Sequence, residues 1–142
     1  MSSSIFFFSE DIEYSLPNES IITNWLQNVV TQEGYDIDHI NYIFCSDSYL
    51  HSINLEHLNH DTYTDIITFD LSDAEKSLCS DIFISVDRVK ENALVNNQSF
   101  IDELHRVLVH GILHLMSYND KTKEQKDNMR KKEDACLSLR KF

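Results

Sequence analysis

His110 and His114, with Gly111-Ile112-Leu113 between them and Asp120 six residues further on, are the side chains of this sequence best placed to do chemistry. Histidines four apart on a helix lie one turn above each other on one face, so two imidazole nitrogens can converge on a single point. A catalytic zinc ion takes three protein ligands of this kind and keeps its fourth position open. Asp120 is the nearest third donor. The surroundings are apolar, Val107-Leu108-Val109 before the pair and Ile112-Leu113 within it, so the helix is expected to be buried. Neutral imidazoles in such a place require partners, which a metal supplies. The competing explanation is a chance pairing on a half-buried helix face, since short motifs recur by accident. In the familiar zinc-protease pattern a Glu follows the first His as general base, and here Gly111 stands there, so peptide hydrolysis by that route is disfavoured.

The histidine helix opens at Ser99, with Asp102 and Glu103 in its first turn, and its apolar stripe runs through Leu104, Val107, Leu108 and Leu115 to an end near Met116. Around it the pattern predicts strands at Ile5–Phe8, Ile40–Cys45, Tyr63–Asp70 and Asp81–Val86. A helix follows Pro17, from Asn18 to Glu33, with Ile21, Ile22, Trp25, Leu26, Val29 and Val30 at helical spacing and Gly34 past its end. Asp47 or Ser48 caps a helix running toward Leu58, and Asp87 caps another through Asn96. A charged loop joins the last two strands. The final helix, Thr122 to Leu139, turns Met129, Ala135, Cys136 and Leu139 inward and most lysines outward. Strands separated by helices give an α+β fold: a small mixed four-stranded sheet packed with about five helices around a central, buried, histidine-bearing helix. Trp25 and the Phe6 to Phe8 cluster are assigned to the core.

With 142 residues, two glycines, one proline and no repeat or linker, the chain is expected to be one domain, residues 1–142. Hydrophobic residues at 42% beside 25% charged ones describe a globular chain. No apolar run approaches the ~20 residues that span a bilayer, and the start lacks a basic region, so no membrane and a cytoplasmic location are expected. Cys45, Cys79 and Cys136 are odd in number and unpaired in spacing, as reduced thiols are. No Gly-rich phosphate loop is present, hence no nucleotide cofactor is expected and a small-molecule hydrolase ranks lowest. The net charge of −12 argues against a polyanion partner, yet it is unevenly spread. After Asp120 there are eight basic residues against four acids, a balance of +4; residues 1 to 120 carry four against twenty, or −16. A local cationic surface beside the histidine helix is compatible with an acidic body.

These residues resemble the YbeY family, bacterial metal-dependent endoribonucleases of ribosomal RNA maturation. The family signature H-G-x-L-H-L-x-G-Y-D-H is similar to His110-Gly111-Ile112-Leu113-His114-Leu115-Met116-Ser117-Tyr118-Asn119-Asp120. Thr64-Asp65-Ile66-Ile67-Thr68-Phe69 resembles its P-T-D-V-L-S-F block, and Asp81-Ile82-Phe83-Ile84-Ser85 its G-D-I-x-I-S strand. Met129 and Glu133 sit where a Met and a Glu recur, so the likeness covers roughly residues 40 to 135. It implies a single-strand endoribonuclease acting in ribosomal RNA maturation and ribosome quality control. The implied site is His110, His114 and Asp120 holding one Zn2+, and the implied partners are small-subunit ribosomal RNA and ribosomal proteins.

Three departures from the family's pattern have chemical consequences. Asp120 replaces the usual third histidine; a carboxylate still binds zinc, but it makes the ion less electrophilic and lets harder metals such as manganese compete. Ser117 replaces a glycine, which is strained if that position is left-handed. Leu58 stands where the family has a basic residue, with His57 and His60 nearby and neither carried over as catalytic. The weaker phosphate stabilisation that follows favours a competing reading, a non-catalytic ribosome-assembly factor with a mainly structural metal site. Of the remaining histidines, His39, His51 and His105 are expected to be ordinary polar or helix-face residues, and Asp65 and Asp81 local caps.

Overall fold

The computed structural model describes residues 4–59 and 63–142, so His60 lies outside the described residues. Four strands, β1 (Ile5–Ser9), β2 (Asp36–Cys45), β3 (Ile66–Asp70) and β4 (Ser77–Ser85), form one sheet in the order β1-β2-β4-β3. The β1–β2 and β2–β4 pairs are parallel and β3–β4 is antiparallel, so the expected mixed four-stranded sheet is what forms. Five helices accompany it among the described residues: α1 (Glu19–Gln32), α2 (Asp47–Leu58), α3 (Val86–Val95), α4 (Phe100–Leu115) and α5 (Lys123–Ser138). None of them is long and apolar enough to cross a membrane.

Alternation along the strands sorts side chains to the two sheet faces. Ile40, Tyr42 and Phe44 of β2 and Leu78, Ile82 and Ile84 of β4 join the large core beneath α1, α3, α4 and α5. Cys45 and Ile67 instead meet Leu50 and Ile53 of α2 in a smaller cluster on the opposite face. Helix α4 is the centre of the large core, with Leu104, Leu108, Val109, Ile112 and Leu113 fully enclosed. Its backbone is tied to the sheet by the Tyr42 hydroxyl, which donates to the Leu108 carbonyl at 2.8 Å. Gly111 lets it settle still closer. A Cβ there would stand 3.0 Å from Ile66 Cδ1 and 3.4 Å from Ile82 Cδ1.

Several local expectations shift. Strand β2 begins at Asp36 rather than Ile40 and β4 at Ser77 rather than Asp81, because polar residues and a bulge between Ile37 and His39 hide the alternation. Strand β3 is shorter than expected and starts at Ile66. The caps are Ser46 for α2 and Ser85 for α3, each hydroxyl accepting a backbone N–H three residues on, in place of Asp47, Ser48 or Asp87. Phe6 and Phe8 are exposed, since β1 is an edge strand and only Phe7 of the three turns onto the core. In α5 the inward stripe is Met129, Glu133 and Cys136; Ala135 and Leu139 face outward.

His105 is a core residue of α4, packed 5.7 Å from Trp25 and 5.6 Å from Phe142 between ring centres. Its Nδ1 accepts from Arg140 Nη1 at 2.8 Å, which requires a neutral ring. Burial, followed by the Arg140 charge, pushes its pKa down to about 4. The unfolded chain therefore binds a proton near pH 6.5 that the folded chain refuses until about pH 4, so stability falls with pH across that window. Lowering the pH to about 4.5 is expected to remove about 2–3 kcal/mol through this residue. Urea titrations of wild type and His105→Phe at about pH 7.5 and about pH 4.5 isolate it: the variant's loss should be smaller by that amount.

Candidate metal centre

Helix α4 presents Arg106, His110 and His114 at successive turns along one side. Past its end Ser117 adopts φ 75°, the left-handed conformation expected of the family glycine, and turns the chain back. The following loop is fastened where the Tyr118 hydroxyl donates to Glu33 Oε1 at 2.5 Å and Lys132 Nζ donates to Glu33 Oε2 at 3.0 Å. The Tyr118 bond is the main cause that holds the Glu33 carboxyl below its usual range. This tie between α1, α5 and the loop fixes where Asp120 stands.

Asp120 Oδ2 lies 3.4 Å from His110 Nε2. Two donors on one tetrahedral ion with bonds of ~2.0–2.2 Å are separated by about that distance, so this pair fits a shared metal. The other ring nitrogen is already engaged: His110 Nδ1 donates to Glu133 Oε2 at 2.6 Å. A carboxylate accepts only, so in the neutral ring the proton sits on Nδ1 and Nε2 is left as a lone-pair donor. Burial alone would depress the His110 pKa, but the Glu133 bond and charge, with Asp120 and Asp65, more than offset it and raise it above the ordinary histidine value.

His114 stands apart from this pair. Its ring is nearly parallel to that of His110, at 5° between planes and 6.5 Å between centres. Imidazoles sharing one ion hold their centres roughly 5–5.5 Å apart, so no three donors among the described residues are yet closed round one point. His114 is exposed. It forms one wall of an open cleft of about 330 Å3 whose other walls are Asn54, Leu58, Thr64, Ile66, Ile67 and Thr68. Leu58 thus lines the same cleft as His114, and no lysine or arginine is among its described lining residues.

The remaining candidates divide cleanly. Asp65 is drawn to the site: burial raises its pKa, the His110 charge pulls it partly back, and Asn92 Nδ2 donates to it at 3.4 Å. Asp81 accepts from Asn41 at 3.0 Å and, with His57, lines a separate groove under α2. His39 stacks on Phe6 and His51 on Tyr63, away from the pair. Arg106 and the structural place of Glu133 were not foreseen. The signal for Glu133 is visible afterwards: it interrupts the apolar i, i+4, i+7 stripe Met129, Glu133, Cys136 of an otherwise charged helix.

The sequence model of a family described as Endoribonuclease YbeY matches residues 5–140 of this chain. A protein of Cytophaga hutchinsonii named Endoribonuclease YbeY is 55% identical, over 97% of this chain and 96% of its own. Its namesake in Flavobacterium johnsoniae is 49% identical over 93% and 94%. A solution structure of a Thermotoga maritima protein superposes with a TM-score of 0.61 at 26% identity, covering 94% of this chain and 89% of that one.

Proposed function

Since the chain belongs to the YbeY family and is an RNA-cleaving hydrolase of that family's kind, we propose that it is a metal-dependent single-strand endoribonuclease of ribosomal RNA maturation and quality control, with His110, His114 and Asp120 as the ligands of one Zn2+ or another divalent ion. The observation that carries this reading is the 3.4 Å approach of Asp120 to a His110 nitrogen whose ring partner is saturated by Glu133. An ion held there supplies Lewis acidity, which polarises a phosphoryl oxygen and makes water more acidic.

The chain's own residues do the rest. Glu133 accepts from His110 Nδ1, and the Glu33, Tyr118 and Lys132 cluster holds the loop that presents Asp120. The open cleft beside His114 receives an extended RNA strand, with the Thr68 hydroxyl as a donor along it, while the Thr64 hydroxyl donates to the Ile66 carbonyl. Lys121, Lys123 and Lys126 are exposed on the first turns of α5 and on the loop before it, next to Asp120. They attract the RNA backbone locally while the acidic body repels it elsewhere, so binding is expected to weaken steeply with salt. Ribosomal RNA of the small subunit and ribosomal proteins are the proposed partners and the cytoplasm the proposed location.

Cleavage of single-stranded ribosomal RNA by wild type and His114→Ala tests this. The variant is expected to lose activity by about a hundredfold or more while keeping its fold, because the exposed ring contributes little to packing. Equal rates in both proteins would assign the cleavage to a contaminant or to another site.

A further inference from the structure

Helix α5 reaches across the metal centre with one buried carboxylate. Glu133 is only 6% exposed in its side chain, and each of its oxygens has a separate partner. Oε2 accepts from His110 Nδ1 at 2.6 Å, and Oε1 accepts from Arg106 Nη1 at 2.9 Å. Arg106 is itself held from the outside, where Nη2 donates to Asp134 at 2.6 Å. Arg106 and His110 lie one turn apart on α4, so a single carboxylate from α5 bridges both. A charge this deeply buried is costly unless paired and hydrogen-bonded, and here both conditions hold on both oxygens.

We propose that Glu133, clamped by Arg106, is a positioning residue that fixes the tautomer and the ring orientation of His110. This inference rests on the metal centre proposed above and adds what prepares it. With Nδ1–H committed to Glu133, the neutral ring offers Nε2 on the Asp120 side. Arg106 restrains the carboxylate from swinging away, since moving it would leave the buried Nη1 without its acceptor and Asp134 alone to pair the guanidinium. Residues in this outer position are typically worth about 10- to 100-fold in metal affinity.

The test uses the full chain with zinc as the probe, and imidazole 15N spectra of the metal-free protein at a pH raised until the His110 ring has lost its second proton. In wild type the His110 ring is expected as the Nδ1–H form alone. Glu133→Gln offers an amide that both donates and accepts, so the two tautomers should mix and zinc affinity should fall about 10- to 100-fold. Arg106→Gln retains the carboxylate and should keep the Nδ1–H form while losing affinity by a smaller factor; it carries the test if Glu133→Gln does not fold. Glu33→Gln, which loosens the loop without touching His110, should leave the tautomer unchanged. A wild-type chain that takes up no zinc overturns the metal centre and this inference with it. A wild-type chain that binds zinc, beside a folded Glu133→Gln that binds equally well or a ring found as Nε2–H, overturns the positioning role alone. If only Arg106→Gln folds, unchanged affinity in it does the same.

Discussion

Chelation of the divalent ion is expected to abolish RNA cleavage and to leave the chain folded. The ligands proposed for the ion lie at the rim of the molecule: Asp120 has 39% of its side chain exposed, His110 24%, and His114 faces an open cleft. The apolar contacts that assemble the fold lie on the other side of α4, where Leu104, Leu108, Ile112 and Leu113 pack against the sheet without reference to the site. Structural zinc sites are closed by four protein ligands, whereas three ligands beside a cleft keep a position open. Loss of the ion should therefore remove several kcal/mol of transition-state stabilisation, on the order of a thousandfold in rate or more. The effect on stability should be only the linkage expected of any ligand, about 3 kcal/mol at a hundredfold excess of metal over its Kd. Paired measurements decide it: RNA cleavage and circular dichroism melting, each before and after chelation and again after zinc is restored. Collapse of cooperative unfolding on chelation would instead assign the ion a structural role, as a binding-only assembly factor requires.

Leu108→Ala is expected to be among the most destabilising single substitutions in the chain. Leu108 is wholly enclosed and sits midway along α4. Its removal loses the transfer free energy of the side chain and leaves a cavity that neighbours on two layers, helix and sheet, cannot both close. The cost should be about 2–5 kcal/mol, lowering Tm on the order of 10 °C for a chain of this size. The backbone carbonyl of the same residue still accepts from Tyr42, so the helix keeps its attachment and its orientation. Zinc affinity should consequently change far less than stability. Urea melts with a zinc titration of the folded fraction check both halves, and a parallel tenfold loss of affinity would contradict the separation of core from site.

Elements set by neighbouring residues are those that could be read from the chain. The Ser99 cap, whose hydroxyl accepts the Asp102 N–H at 3.1 Å, and the Thr122–Gln125 capping box begin α4 and α5 where the side chains announce them. The periodicity of α1 and α4 was plain because their apolar residues are unbroken. Strand starts at Asp36 and Ser77 were not, because those residues join the sheet through backbone bonds that any side chain permits. The same applies to the edge position of β1, which exposes Phe6 and Phe8 although their composition is that of a core.

The candidate site divides along the same line. The i, i+4 histidines, Ser117 in place of a glycine and the nearby Asp120 are local, and the sequence by itself determined their spacing on and just past one helix and which family they resemble. Only the tertiary structure decided that Glu133, twenty-three residues beyond His110, grips its ring. Nor could the chain alone tell that Arg106 braces that carboxylate, or that Leu58 and His114 line one cleft. The physical reason is range. Helix spacing and turn geometry follow from a few covalent bonds between neighbours, whereas pairing a buried charge depends on how distant helices pack against one sheet.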